Sequence, residues 1–243
     1  GFTFTQWGSH VMFASFSSSF ETPTLNELSA NPSGNNGFNP DLSPSKAHNL
    51  EWGWRYTAPG NTLEATLYAI NTRNEILPYE LAAFPGRDFY RNTGNTRRMG
   101  IELFWEHQKG PLEWSIAYSY ATLKFDDYLL GDQNLSGNQL PGVPKQQLSA
   151  TLLYTFSKGW GSALQGQYTG ALYADDANQT QVADYFLSNI RLWKSLENLS
   201  FFGGVNNLLD RDYFDNIRIN AYGKRYYEPA PMRNFYFGMS YTF

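Results

Sequence analysis

Residues 233–243, Arg-Asn-Phe-Tyr-Phe-Gly-Met-Ser-Tyr-Thr-Phe, alternate without a break. On an extended chain Phe235, Phe237, Met239, Tyr241 and Phe243 fall on one face, and Asn234, Tyr236, Gly238, Ser240 and Thr242 on the other. Successive side chains of a strand point to opposite sides, so this segment has one greasy face and one polar face. A strand with hydrocarbon outside and a wet lumen inside needs that pattern. Soluble strands can alternate as well, and the fold therefore turns on how often the pattern recurs.

It recurs along the whole chain, in ten segments between Val11 and Phe243. The first, Val11 to Phe20, is irregular and serine-rich. In the second, Leu50, Trp52, Trp54 and Tyr56 oppose Glu51, Gly53, Arg55 and Thr57; in the third, Leu63, Ala65 and Leu67 oppose Glu64, Thr66 and Tyr68. Met99, Ile101, Leu103 and Trp105 then oppose Arg98, Gly100, Glu102 and Glu106, and Leu112 through Tyr120 oppose Glu113 through Ala121. The sixth carries Leu148, Ala150, Leu152, Tyr154 and Phe156 outward, and the seventh turns Gln165, Gln167 and Thr169 inward. Tyr185 to Lys194 sets Phe186, Ile190 and Leu192 against Asn189 and Arg191, and Leu199 to Asn207 carries Gly203 and Gly204, residues that suit a bend in a curved sheet.

Connections between these segments sort by parity. Those near 6–8, 58–61, 108–111, 157–159 and 195–197 are tight, whereas 21–47, 76–89, 126–144, 174–183 and 209–232 are long, polar and rich in Pro, Gly, Asn and Asp. Outer-membrane barrels have this asymmetry, with short periplasmic turns and long external loops. A sandwich or lectin has no reason to sort loop lengths over ten strands. The reading is all-β: a transmembrane antiparallel up-and-down barrel, with Trp54, Tyr56, Trp105, Tyr120 and Trp160 in interfacial girdles. Aromatics make up 17% of the 243 residues, yet no apolar run approaches the length of a membrane helix, because a barrel strand hides its apolar content in alternate positions.

Absence of cysteine removes disulfides, thiolate metal sites and cysteine nucleophiles. A net charge of −4 without a basic, aromatic-interleaved patch argues against nucleic acid as a partner. No Ser, His and Asp arrangement, phosphate loop or metal-ligand spacing is present, so no catalytic residue, metal or cofactor is expected and the chain reads as a non-enzyme. His10, His48 and His107 lie far apart, mostly beside turns, as girdle residues do. Acidic residues Asp126, Asp127, Asp175, Asp176, Asp210, Asp212 and Asp215 read as solvated loop acids, with divalent-cation binding the sharper alternative. The opening Gly-Phe-Thr-Phe-Thr lacks a charged start and an apolar core, and reads as the interior of something longer.

Several blocks resemble the TonB-dependent outer-membrane receptors, in the order that family has them. Phe20-Glu-Thr-Pro-Thr-Leu-Asn-Glu-Leu28 is similar to the segment leaving a strand for an external loop, and Asn39-Pro-Asp-Leu-Ser-Pro-Ser-Lys46 to the returning motif, with Ser45 where a glutamate is common. Arg91 to Glu102 resembles an asparagine, glycine and glutamate block. Most specific are Asn207-Leu-Leu-Asp-Arg-Asp-Tyr213 and the Gly223 to Arg233 tail, with Met232 where a glycine is frequent. The resemblance implies that residues 1–243 are the carboxy-terminal part of a barrel, about ten to eleven strands of an expected 22-stranded plugged barrel. The plug, the TonB box and the amino-terminal strands would lie outside it.

Further expectations follow from that resemblance. The protein would be a multi-pass receptor in the outer membrane of a Gram-negative cell, taking up a scarce nutrient, foremost a ferric siderophore. The Phe-Glu-Thr-Pro-Thr and Arg-Tyr-Tyr-Glu-Pro blocks resemble a branch associated with pyrroloquinoline quinone or another small cofactor, which stays open as the alternative. A passive porin and a soluble carbohydrate-binding β protein are the more distant ones. Implied partners are outer-membrane lipid and lipopolysaccharide, the TonB-ExbB-ExbD complex through the missing part, and the barrel-assembly machinery. That machinery would recognise Phe235, Phe237, Met239, Tyr241 and Phe243. Ligand contact is expected from Arg87, Arg91, Arg218, Tyr222, Arg225, Tyr226 and Tyr227, whose forks and rings suit an anionic or aromatic molecule; pairing with loop acids or lipopolysaccharide phosphates is the competing role of the arginines. Glu51, Arg55, Glu64, Arg98, Glu102 and Glu106 share the inward parity and would form a charged wall facing the plug.

Overall fold

The computed structural model describes residues 1–34, 37–224 and 227–243. One antiparallel sheet of 11 strands dominates it. Numbering the strands of this sheet alone, they are β1 (Phe2–Trp7), β2 (His10–Glu21), β3 (Ser45–Ala58), β4 (Asn61–Arg73), β5 (Asn95–Lys109), β6 (Leu112–Asp127), β7 (Gln146–Thr155), β8 (Trp160–Thr169), β9 (Tyr185–Ser195), β10 (Leu199–Asn206) and β11 (Asn234–Tyr241). Each pairs with its neighbours in sequence, and β1 and β11 are the two edges of this sheet. The expected barrel segment, its strand count and the parity of its connections are all present.

Register converts the alternation of single strands into two continuous surfaces. Met12, Trp54, Ala65, Leu103, Tyr118, Leu148, Tyr168 and Phe186 are successive cross-strand partners from β2 to β9. One position along, Gly53, Thr66, Glu102, Ser119, Gln147 and Thr169 form the matching polar row. A slip of one residue anywhere would exchange the faces, so the hydrophobic pattern fixes the register. Among the described residues no protein layer covers the apolar face: Phe235 and Phe237 are each 76% exposed and Met239 70%. An apolar surface this continuous marks a membrane or a partner.

The polar face is narrowed by a repeated device. Gly53 lies opposite Phe13, Gly100 opposite Tyr68, Gly161 opposite Trp193, Gly204 opposite Tyr236 and Gly238 opposite Phe202. In each pair the ring lies over the glycine so closely that an added Cβ would come within 2.7 Å of it. Cross-strand aromatics that cover glycines stiffen a curving sheet where a side chain pair would not fit. Gly204 therefore serves close packing against the Ile190 carbonyl and Tyr236, a more specific role than the general bending expected of it.

Aromatic clusters gather at the short-turn end. Trp54 donates from Nε1 to His10 Nδ1 at 3.1 Å, and Trp105 donates to Asn61 Oδ1 at 2.9 Å. His107 lies 4.4 Å from the ring of Trp114. At the other end, the long connections are not plain loops. The first contains helix α1 (Leu25–Ser29), started by a capping box in which Thr24 and Glu27 each bond the other's backbone N–H. The second is a hairpin of Ile76–Leu81 with Phe84–Asn92, and the third to fifth carry shorter hairpins at Leu129–Leu130 with Gln133–Asn134, Leu172–Tyr173 with Gln181–Val182, and Phe214–Ile217 with Tyr227–Pro229.

A compact core sits beneath these hairpins. Ala121, Leu123 and Phe125 keep the inward parity of β6 but are apolar, and Tyr128, Leu135 and Leu140 of the third loop close over them. The polar face thus ends near Ser119, and a small globular cap begins.

Candidate functional site

One buried carboxylate organises the cap. Asp176, in the fourth loop, is 2% exposed. Its Oδ2 accepts from Arg91 Nη2 at 2.9 Å and from the Tyr128 hydroxyl at 3.0 Å, and its Oδ1 accepts from Asn220 Nδ2 at 3.0 Å. Its backbone N–H donates to Asn220 Oδ1 and its carbonyl accepts from Asn138 Nδ2, both at 2.9 Å. The partners belong to the second, third and fifth loops, so four loops meet at one residue. The reading of Asp176 as a solvated loop acid is corrected here: a charge removed from water persists only when paired and hydrogen-bonded, and Asp176 is both. Its neighbour Asp175 does the local work, accepting from the N–H groups of Gln179 and Thr180 at 2.9 and 2.7 Å.

Arg91 also lies over the Tyr79 ring, with its guanidinium carbon 4.6 Å from the ring centre. Burial, reinforced by the Asp176 carboxylate, pushes the Tyr128 phenol well above its ordinary range. The folded cap therefore holds a proton that an unfolded tyrosine releases near pH 10. This stabilisation is complete below about pH 10 and is lost as pH rises through the elevated value. In ring-labelled tyrosine NMR, the signal removed by Tyr128→Phe is expected to remain that of a phenol at about pH 11; ordinary titration near pH 10 would contradict the geometry.

A second clamp joins the second and fifth loops. Arg218 pairs with Glu80 at 2.8 Å and Asp88 at 3.1 Å, and donates to the Gly86 carbonyl at 3.3 Å. Glu80 in turn accepts from the backbone N–H groups of Gly86 and Tyr222 at 3.2 and 3.1 Å. The first loop is tied in through Asn92, which accepts from the Ser43 N–H at 2.7 Å and donates to its carbonyl at 2.9 Å.

The expected ligand contacts divide accordingly. Arg91 and Arg218 face loop acids, the competing role the sequence left open. Arg87 stands beside the Phe89 ring at 5.0 Å and makes no ion pair among the described residues. Tyr222 is exposed, and Tyr227 stacks on Phe214 with ring centres 4.5 Å apart. Arg225 and Tyr226 lie outside the described residues. Folding brings Arg218 and Tyr222 to Glu80 and sets Arg87 beside Phe89 and exposed Phe84, a residue that sequence reasoning missed because it lies at the tip of a hairpin read as an unstructured loop.

Along the polar face, Arg55 pairs with Glu64 at 2.7 Å, and Glu51 accepts from Ser15 and Asn49 at 3.3 and 2.6 Å. Arg98 sits higher, bonded to Glu75 at the root of the second loop and to Thr72 at 3.3 Å. Glu64 and Glu102 line a hollow of ≈ 390 Å³ together with Thr66, Ser119, Gln147 and Gln167. Glu106 lies opposite Thr62 and Ser115 on the same face.

Sheet, loop parity and cap together define one class, a segment of a large up-and-down barrel with a loop-built cap at one end. Residues 1–208 match the family described as TonB dependent receptor-like, beta-barrel, and the chain belongs to that family. Solved structures agree on the fold. The siderophore receptor PiuA from Acinetobacter baumannii is 21% identical, with 98% of this chain and 34% of that one covered at a TM-score of 0.78. The ferric-catecholate import receptor Fiu from K12 E. coli is 20% identical over 99% of this chain and 34% of its own, at 0.74. The copper transporter OprC is 20% identical over 99% and 38%, at 0.78. The chain spans little more than a third of the length of these proteins.

Proposed function

We propose that the chain forms part of an outer-membrane receptor that captures a scarce nutrient on its long-loop side and passes it inward under TonB-driven energy. The carrying observation is the loop cap: all five long connections are tied to one another over one end of the sheet, as a binding surface above a channel requires. No chemistry on the ligand is needed. The apolar face would meet lipid, the polar face would meet the plug through Glu51, Arg55, Glu64, Arg98, Glu102 and Glu106, and the tail from Phe235 to Phe243 would be read by the assembly machinery.

For the ligand we favour an anionic molecule with aromatic or chelating groups, foremost a ferric siderophore. Arg87 supplies a cation without a protein counter-ion among the described residues, Phe84 supplies an exposed ring beside it, and Tyr222 supplies a second exposed ring in the fifth loop. Pyrroloquinoline quinone, an aromatic polyanion, suits the same groups and stands as the second reading. Competition binding with the purified full-length receptor separates the two. Arg87→Ala is expected to weaken the preferred ligand about tenfold, the value of one charge-assisted contact. Equal affinity in the variant would remove Arg87 from the site.

A further inference from the structure

The inward face is divided by charge. On β3 to β5 it carries Glu51, Glu64, Glu102 and Glu106 against Arg55 and Arg98, and these two arginines already pair with Glu64 and Glu75. Strands β7 to β11 are otherwise. Their residues include only two charged side chains, Arg191 and Lys194. Lys194 stands on the outward parity, over the Trp160 ring at 5.4 Å. Arg191 is thus the single charge on the inward parity of these five strands, among amides, hydroxyls and rings.

The surroundings of Arg191 leave it open to an anion. Its cross-strand partners are Ala163 and Gly204, too small to crowd it. Its guanidinium carbon lies 4.6 Å from the centre of the Phe202 ring. The ring covers one face of the group, while the N–H donors point outward in its plane. Arg191 makes no hydrogen bond or ion pair among the described residues. It lines a hollow of ≈ 510 Å³ with Thr151, Gln165, Asn189 and Tyr236, a volume within the usual range of small-molecule pockets. Asn189 is oriented there by accepting the Asn207 N–H at 2.9 Å, which leaves its own amide N–H groups to donate.

This hollow lies in series with the one bordered by Glu64 and Glu102. Ser149 and Gln167 are cross-strand partners in the wall of that upper hollow, and Thr151 and Gln165, the next inward pair toward the short turns, line the lower one. The step between them is about 7 Å. An anionic solute descending from the cap is repelled by the carboxylates of β3 to β5 and meets its one fixed cation at Arg191. A single charge on a neutral wall also suits passage, because a solute in transit must be held weakly enough to leave.

Resting on the reading of the chain as part of a nutrient receptor, we propose that Arg191, with Thr151, Gln165 and Asn189, forms a carboxylate-binding subsite on the inner wall, below the loop cap, where an anionic solute pauses on its way inward. The guanidinium fork would take the carboxylate edge-on, and the Asn189 amide would donate beside it.

The test soaks crystals of the full-length receptor in triiodoisophthalate, an aromatic dicarboxylate whose iodine atoms are located by anomalous scattering. Wild-type crystals are expected to show it in the lower hollow against Arg191. In Arg191→Gln the concentration for half-occupancy there is expected to rise about tenfold, the value of one charge-assisted contact. The dimethyl ester of the same ring is expected to be absent from the hollow of the wild-type protein, a comparison independent of how the variant folds. Unchanged half-occupancy in Arg191→Gln, or equal occupancy by the ester, would overturn the proposal. So would a carboxylate of the plug paired with Arg191, which would make the residue an anchor for that domain. An empty hollow in a receptor that still imports under TonB would remove this subsite alone, whereas TonB-independent uptake would remove the receptor reading itself.

Discussion

Asp176→Ala is expected to release four of the long loops together. The substitution removes the acceptor of Arg91, Tyr128 and Asn220 and leaves the Arg91 guanidinium partly buried without its counter-charge. Breaking a buried ion pair from one side costs about 3 to 5 kcal/mol. Local opening should become easier by a similar amount, so hydrogen exchange in segments 74–94, 128–145, 170–184 and 207–224 should accelerate by roughly 10² to 10⁴-fold. The ladder from β2 to β9 should keep its protection, because none of its hydrogen bonds passes through Asp176. Replacing Arg91 with Met and Asp176 with Leu together is expected to lose less than Asp176→Ala, since an apolar pair leaves no orphaned charge. Acceleration confined to the fourth loop would mean that the four loops are not coupled through this residue.

The second large effect is expected at Gly94, where the second long loop joins β5. A Cβ there would stand 1.6 Å from the carbonyl oxygen of Asp127, a backbone atom that no rotamer change can move aside. Gly94→Ala must therefore push β5 and β6 apart at their loop ends, just where Asn95 pairs with Asp127 and the register already shifts. A cost of about 3 kcal/mol is expected, the upper range for overpacking, read as a lower urea midpoint of the refolded receptor in detergent. Gly53→Ala, which meets only the ring of Phe13, should cost distinctly less. Equal midpoints for the two variants would show that the Gly94 contact relaxes without penalty.

These two positions mark where the sequence is transparent and where it is not. Strand parity is readable because a period of two is local: Trp52 and Trp54 announce their face within three residues, and ten strands repeat the message. The Thr24 to Glu27 capping box is equally local and was readable in principle, although the segment resembled only a strand exit. The long hairpin of the second loop was hidden by Pro78 and Pro85, which break the strand pattern, while its pairing is stabilised by the cap. Asp176 was out of reach for a different reason. Its partners Arg91, Tyr128 and Asn220 lie 85, 48 and 44 residues away, and nothing near Asp176 in the sequence distinguishes it from Asp175, which bonds only within its own loop. Arg91 and Arg218 could be nominated as cations that need anions, but whether the anion is a ligand or a loop acid depends on which loops meet.

Energised transport by the complete receptor tests the central claim most directly. Cells expressing the full-length protein, supplied with a radiolabelled ferric siderophore that it binds, are expected to accumulate iron only when TonB is present, and to bind without accumulating when TonB is deleted. Uptake at an undiminished rate in the TonB-deleted cells would make the barrel a passive pore and contradict the proposed function.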